Sequence, residues 1–246
     1  FTAFYKPTHM LINIRFFIYI SASFSLLIFG LLLMPGCQSA SPPETGLRSE
    51  TDTLLNAGNI WKFDSIIAAN YNQLKWNETF VAIPNERLDN KSVTRKGLQL
   101  IFELENGDTL CRTNDTSVTE SKVNYQYCTK LSNINHWLIL GYYYEWSQYE
   151  IVNCSTGKRT QVMGYPSFSP DGKYMVCGSL DESSEGINGI EFWRLKGTSL
   201  QLLLSRELTK WGPNRLAWAG SDTLIIERYF MLNSKPGFVK VGMPSK

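Results

Sequence analysis

From about residue 56 the chain reads as short runs rich in Val, Ile, Leu, Tyr, Phe and Trp, each closed off by Asn, Asp, Gly or Ser. That is the pattern of many short strands joined by tight turns. No long segment places apolar residues at the three-to-four spacing of an amphipathic helix. The clearest unit is YPSFSPDGKYMVCGS, residues 165–179. Ser167-Phe168-Ser169 alternates as a strand does, Asp171-Gly172 supplies a turn that tolerates positive φ, and Lys173-Tyr174-Met175-Val176-Cys177 departs as a second strand. The pattern predicts a β-hairpin.

The hairpin recurs. Trp137-Leu138-Ile139-Leu140-Gly141 aligns with Tyr174-Met175-Val176-Cys177-Gly178 at an offset of 37, and Tyr149-Glu150-Ile151-Val152 with Ile190-Glu191-Phe192-Trp193 at 41. Residues 217–226 align with residues 167–176 at an offset of 50, and the strand WNETFVAI of residues 76–83 precedes Gly97-Leu98-Gln99-Leu100-Ile101. Units of about 40 residues therefore begin near Gln73, Tyr125, Tyr165 and Pro213. A fourth strand follows in three of them, at residues 108–112, 158–163 and 200–207. Four antiparallel strands at this period predict an all-β fold, a β-propeller of about four four-stranded blades. Radially stacked sheets can cover one another's faces where a single sheet cannot, and the seven Trp are expected mostly in the core between blades.

The stretch Pro166-Ser167-Phe168-Ser169-Pro170-Asp171-Gly172-Lys173-Tyr174-Met175-Val176 resembles the WD40-like repeat of TolB-type propellers, an aromatic followed by Ser-Pro-Asp-Gly-Lys and an apolar strand. The other units carry Lys75-Trp76-Asn77-Glu78, Ser132-Asn133-Ile134-Asn135 and Ala219-Gly220-Ser221-Asp222 at that place. The resemblance implies the fold and brings no catalytic residue with it. Four blades are few for such propellers, and the last unit ends after Gly237-Phe238-Val239-Lys240-Val241 without a fourth strand. An N-terminal strand at residues 59–67, NIWKFDSII, is expected to complete it, since open sheet edges are usually avoided.

Ahead of the repeats, residues 16–34 (FFIYISASFSLLIFGLLLM) hold no charge and are followed by Pro35, Gly36 and Cys37. Some 20 apolar residues suffice to cross a bilayer. The flanks instead match a signal peptide: Met10 and LINIR form a short basic start, and Gly36 supplies the small residue a signal peptidase needs. Translation is expected to begin at Met10. Met34-Pro35-Gly36-Cys37 resembles the bacterial lipobox, with Gly36 and Cys37 in place, Met34 where Leu is usual and Pro35 where it is not favoured. That resemblance implies Cys37 as a lipidation site; a plain cleaved signal peptide and an uncleaved anchor helix are the alternatives, and all three export the domain. The expected organisation is residues 1–36 as upstream residues and signal peptide, 37–55 as a flexible tether rich in Ser, Pro, Thr and Glu, and 56–246 as the propeller-like domain.

Composition sharpens this picture in two places. With 43% hydrophobic and 13% aromatic residues the chain can bury a substantial core. Residues 1–36 contain Lys6 and Arg15 and no acid, so the rest holds 24 − 2 = 22 basic residues against 22 acidic ones, and no basic field points to nucleic acid.

Candidate chemistry is sparse. His136 is the single His after residue 9, which excludes a multi-histidine metal site and leaves a Ser or Cys nucleophile this one base at most. Cys111, Cys128, Cys154 and Cys177 form no C-x-x-C. In an exported protein their even number allows two disulfides, while repeat alignment puts Cys177 and Cys128 at core positions, where a thiol acts as a small hydrophobe. Carboxylates cluster at Asp181-Glu182-Ser183-Ser184-Glu185-Gly186 and at Glu103-Leu104-Glu105-Asn106-Gly107-Asp108, without an EF-hand spacing. The aromatic run Tyr142-Tyr143-Tyr144-Glu145-Trp146 occupies the same place in its unit as the first acidic cluster does in the next.

The sequence thus predicts an exported, lipid-anchored propeller facing the periplasm or cell surface. It would act as a binding module for an envelope protein or glycan, with no cofactor, metal or nucleic acid. The candidate binding surface is Tyr142, Tyr143, Tyr144, Trp146, Asp181, Glu182 and Glu185, with no catalytic residue assigned. The competing expectations are an envelope glycan- or peptide-cleaving enzyme using loop carboxylates as general acid and base, and a truncated propeller without independent activity.

Overall fold

The computed structural model describes residues 52–56, 59–67, 71, 73–81, 86–88, 90–181, 187–230 and 236–244, all within the compact unit Leu47–Lys246. The leader with its expected N-terminal helix, Cys37 and the tether as far as residue 51 lie outside the described residues, as do Glu182 and Glu185. In chain order the strands are β1 (Asp52–Asn56), β2 (Asn59–Ile66), β3 (Asn77–Glu78), β4 (Val93–Lys96), β5 (Gln99–Glu103) and β6 (Thr109–Thr113). There follow β7 (Val123–Leu131), β8 (His136–Tyr143), β9 (Ser147–Asn153), β10 (Arg159–Val162), β11 (Ser167–Phe168) and β12 (Tyr174–Ser179). The last are β13 (Gly189–Lys196), β14 (Ser199–Glu207), β15 (Trp211–Trp218), β16 (Thr223–Phe230) and β17 (Pro236–Gly242).

The fold is all-β. Four antiparallel sheets form: β4-β5-β6, β7-β8-β9-β10, β11-β12-β13-β14, and a six-stranded sheet in the order β1-β2-β17-β16-β15-β3. They are called the first to fourth sheets below. Alternation along single strands explains how they stack, because successive side chains of a strand point to opposite faces. On β8, Trp137 and Ile139 pack with Phe102 and Leu100 of the first sheet, whereas Leu138 and Leu140 pack with Met175, Cys177 and Trp193 of the third. On β12, Met175 and Cys177 face the second sheet and Val176 faces the fourth, where Trp61, Phe63, Leu216, Leu224 and Val239 meet Phe192 and Ile190. Both faces of the two middle sheets are thus buried, which is why β8 and β12 read as unbroken apolar runs.

Polar side chains stitch the same interfaces. Glu86 accepts two hydrogen bonds from Arg95 of β4, at 2.6 and 2.8 Å, and one from the Tyr127 amide of β7 at 2.6 Å, tying the first sheet to the second. Glu191 of β13 accepts from the Met163 amide at 3.1 Å, the Trp193 indole at 3.3 Å and Ser205 at 3.5 Å, tying the third to the second.

The expected completion of the last unit is present: β2 pairs with β17, from Phe238 opposite Ile66 to Val241 opposite Phe63. Two expectations are corrected. The predicted tether ends too late, because β1 already begins at Asp52 and pairs with β2 from Asp52 opposite Phe63 to Asn56 opposite Asn59. Five residues of edge strand are too few to display a period. The strand assigned to residues 76–83 does not head the first unit either. Asn77 and Glu78 pair with Leu216 and Arg215 of β15, and the first sheet has three strands taken from residues 93–113 alone. Side-chain partners decide this placement. Trp76 sits edge-on to Phe238 at 5.9 Å under the Arg215 guanidinium, and Thr79 donates its hydroxyl to the Pro213 and Asn214 carbonyls, each at 3.0 Å.

Among the described residues the cysteines are free thiols, Cys154 and Cys177 buried, Cys128 half-buried and Cys111 exposed. Burial pushes the Cys128 thiol up to about 12 and that of Cys154 to about 11, so both remain protonated and inert. Of the seven Trp, Trp61, Trp137, Trp193 and Trp211 are core residues, as expected for most of them. Trp146 is not.

The β2–β17 seam yields a stability test. Phe63 is fully buried while its neighbour Lys62 is exposed. Phe63→Ala is expected to cost about 3–5 kcal/mol in urea unfolding, and Lys62→Ala no more than about 0.5 kcal/mol. Equal costs at the two positions would contradict the register.

Candidate functional site: an aromatic cleft at the ends of two sheets

The second and third sheets run their strands in the same order, so equivalent connections lie side by side. The β8–β9 turn, the β12–β13 connection and the β10–β11 connection line a cleft of about 740 Å³. Of the candidate surface, Tyr142, Tyr143, Tyr144, Trp146 and Asp181 all line it. Residues 35 to 39 positions apart in the chain are brought together, close to the offset of 37 between the two hairpins.

The β8–β9 turn is closed by a hydrogen bond from the Tyr143 amide to the Trp146 carbonyl at 2.8 Å. This sets the Tyr143 and Trp146 rings face to face, centroids 3.9 Å apart and planes within 4°. Tyr125 of β7 abuts Tyr143 edge-on at 6.4 Å, and burial pushes the Tyr143 hydroxyl up to about 12. Tyr144 and Trp146 nevertheless stay 58% and 46% exposed. Rings held in place yet open to solvent are suited to anchor a ligand. Across the cleft, Asn188 braces the base of the β12–β13 connection: it accepts from the Asp181 amide and donates to the Asp181 carbonyl, both at 2.8 Å.

Sequence reasoning missed the remaining wall. Residues 79–81 come from far upstream and cross the junction of the second and third sheets. The Tyr165 amide donates to the Thr79 carbonyl at 2.8 Å, while the Tyr149 hydroxyl donates to the Val81 carbonyl at 2.8 Å and accepts from its amide at 2.9 Å. Phe80, edge-on to Tyr149 at 6.1 Å, is thereby placed in the cleft lining. Close backbone approach makes this crossing possible. A Cβ at Gly164 would run into the Gly178 carbonyl and stand 2.8 Å from the Thr79 oxygen. Met163, Leu180 and Ile187 complete the apolar lining. Phe80 lies in an apolar run that reads as strand, and nothing local marks it as a cleft residue.

The other candidates lie elsewhere. His136 is buried, its Nδ1 2.6 Å from the Ile134 carbonyl and its Nε2 3.4 Å from Asn153, outside the cleft lining. Burial holds its pKa below the ordinary value. The carboxyl of Glu191 is raised by burial, but its three donors place it in the sheet interface and it does not line the cleft. Glu105 and Asp108 are exposed at the β5–β6 turn, where Asp108 closes a local hydrogen bond with Asn106. Among the described residues no group of three or more His, Cys, Asp or Glu is placed to hold a metal ion.

Comparison with family models, curated proteins and solved structures yields no match to this chain.

The environment of His136 carries a pH signature. Its folded pKa is depressed, whereas the unfolded chain takes up the proton near pH 6.5. The unfolded state thus binds more protons as pH falls, so this contribution to stability is complete above about pH 6.5 and is lost below it. The fall in Tm between about pH 7.5 and 5 should be smaller in His136→Gln than in the parent. An identical fall in both would exclude His136 as the source.

Proposed function

We propose that this chain is an exported binding module, anchored at a bacterial membrane through a lipid on Cys37, and that it engages an envelope partner in the aromatic cleft. The observation that carries this reading is the cleft itself. Its volume lies within the range of ligand sites, and its rim exposes Tyr144 and Trp146 from a turn whose geometry is fixed by stacking and hydrogen bonding. Ordered strands position these side chains, which keeps the ordering cost of binding low.

On the same reading the four sheets are the blades of a small, open propeller of the TolB-like or WD40-like kind. The meander within each of the first three sheets, the three apolar sheet-to-sheet interfaces and the N-terminal strand added to the C-terminal sheet support it. Binding is favoured over hydrolysis because, among the described residues, the carboxyl that burial raises, Glu191, is committed to the core, and His136 lies apart from the cleft. A general acid needs a raised pKa within reach of substrate.

The full chain in detergent, applied to arrays of defined peptides and envelope oligosaccharides, is expected to retain members of at least one class. The double variant Tyr144→Ala, Trp146→Ala should lower that affinity by about tenfold or more, as for central aromatic anchors, and leave Tm within about 2 °C. Failure of both arrays to bind, or a collapse of Tm in the variant, would refute the binding role of the cleft. For the anchor, Cys37→Ser should abolish incorporation of an alkyne-tagged fatty acid in growing cells. Undiminished labelling of that variant would place the lipid elsewhere.

A further inference from the structure

The first sheet stops one strand short of its neighbours. The second and third sheets each place a fourth strand beyond the third, β10 beyond β9 and β14 beyond β13, whereas among the described residues no strand lies beyond β6. The hydrogen bonds at the two ends of the β5–β6 pair fix which backbone groups of β6 point outward. The Leu104 amide donates to the Asp108 carbonyl at 2.8 Å, and the Asn114 amide to the Leu98 carbonyl at 2.9 Å. Bonded pairs alternate along an antiparallel ladder, so β6 bonds to β5 through Leu110 and Arg112. The amides and carbonyls of Thr109, Cys111 and Thr113 therefore point away from the sheet, and their side chains are exposed. Such an edge is a template for one more strand.

A recess runs beside that edge. Val152 of β9 packs against the first sheet. Glu150, Arg159 and Gln161 share its face, because Arg159 pairs with Val152 and Gln161 with Glu150. Arg159 and Gln161 are exposed, and with Glu150, Lys158 and Arg112 of β6 they line a recess of about 660 Å³. The junction of the second and third sheets shows what covers this face where a fourth strand is present. There Glu191, the repeat equivalent of Glu150 at an offset of 41, accepts from the amide of Met163, the residue that follows β10. Glu150 receives Arg112 instead, which donates from Nε at 3.1 Å. The recess thus occupies the place that a fourth strand of the first sheet would take.

Charge selects the occupant. Three bases line the recess against one acid, and Glu150 is committed to Arg112. Lys158 and Arg159 are exposed and, among the described residues, form no ion pair. Pairing with β6 of a second copy about Cys111 would set another Arg112 beside Leu110 on the same side, adding a fourth base, which like-charge repulsion opposes. We infer that β6 is a docking edge for an extended segment of a partner protein that carries carboxylates at alternate positions. The segment runs antiparallel to β6 and bonds to the outward groups of Thr109, Cys111 and Thr113. Its carboxylates turn toward the second sheet and reach Lys158 and Arg159, while the side chains between them face solvent as Thr109 does. Main-chain bonds supply affinity in such strand addition, and the alternate side chains supply specificity. Apart from Tyr143 this site shares no lining residue with the aromatic cleft.

The test titrates the full chain in detergent with a dye-labelled nonapeptide alternating Glu and Thr, with its Gln–Thr counterpart, and with two N-methylated forms of the Glu peptide. The Glu peptide is expected to bind at least about tenfold more tightly than the Gln peptide, and to weaken when salt rises from about 50 to 500 mM. In this register the Thr amides bond to β6 and the Glu amides point outward, so methylating the Thr amides should cost about tenfold or more and methylating the Glu amides less than about threefold. Lys158→Ala combined with Arg159→Ala should cost about tenfold and leave Tm within about 2 °C. Cys111→Pro, which removes an outward amide and leaves the β5 ladder intact, should also cost about tenfold. Equal binding of the Glu and Gln peptides overturns the inference, as does an equal loss from the two methylated forms. Binding that survives the Lys158, Arg159 double variant and is lost in Tyr144→Ala, Trp146→Ala places the peptide in the cleft and overturns it too. Sedimentation of the reduced full chain as a dimer that Cys111→Pro dissociates makes a second copy the occupant. Absence of binding by every peptide rejects the edge, whatever the arrays find at the cleft, so the two sites stand or fall separately.

Discussion

The structure depends on one constraint: the middle sheets have no face to spare for water. Trp137, Leu138, Ile139 and Leu140 are consecutive and each is at most 1% exposed, so one strand must be covered from both sides at once. A sheet of that kind cannot be stable alone, and its partners acquire the same need on their far sides until something ends the series. The two ends are closed differently. On the first sheet the face turned away from the stack carries Thr94, Lys96, Gln99, Glu103 and Thr109, which tolerate solvent. On the fourth sheet Arg215 and Phe238 are covered by Trp76, supplied by the chain as it leaves β2.

That covering segment also explains why the cleft has a formed wall. Residues 77–81 leave the edge of β15, bond to Ser167 through Asn77 at 3.1 Å, and end on the Tyr149 hydroxyl. They contact three sheets within five residues. Each contact satisfies a backbone or buried polar group that would otherwise be costly, and together they hold Phe80 where no local turn could put it. The long sequence separations involved, 90 residues between Asn77 and Ser167 and 134 between Thr79 and Pro213, mean that these contacts form only once the third and fourth sheets are in place.

Much of the fold was legible because it is written in local patterns. The hairpin at Asp171-Gly172 is read directly from its residues: Gly172 takes a φ of 69°, and Asp171 accepts from Ser169 at 2.8 Å and from the Lys173 amide at 3.1 Å. The pairing of residues 59–66 with the C-terminal strand followed from a missing neighbour. Equivalent turns at a fixed offset placed Tyr144 and Asp181 on one surface. What escaped sequence reading is non-local. Whether residues 76–83 head their own sheet or join another is decided by the Thr79 hydroxyl and the Trp76 ring, whose partners lie more than 130 residues away, and an apolar run looks the same in either place.

The division between motif and site follows from the same physics. The Ser-Pro-Asp-Gly-Lys stretch is the most recognisable part of the chain because a hairpin admits few residues, and its charged side chains are consumed locally: Lys173 pairs with Asp171 at 2.9 Å, and that contact holds the Asp171 carboxyl at about 2. Such a turn has little left to offer a ligand. The connections at the opposite ends of the strands carry no such requirement. Stacking positions them and leaves their composition open, so aromatic and acidic side chains can gather there without disturbing the sheets beneath. The connections are therefore where this fold is free to vary, and here they form the cleft between Trp146 and Asp181.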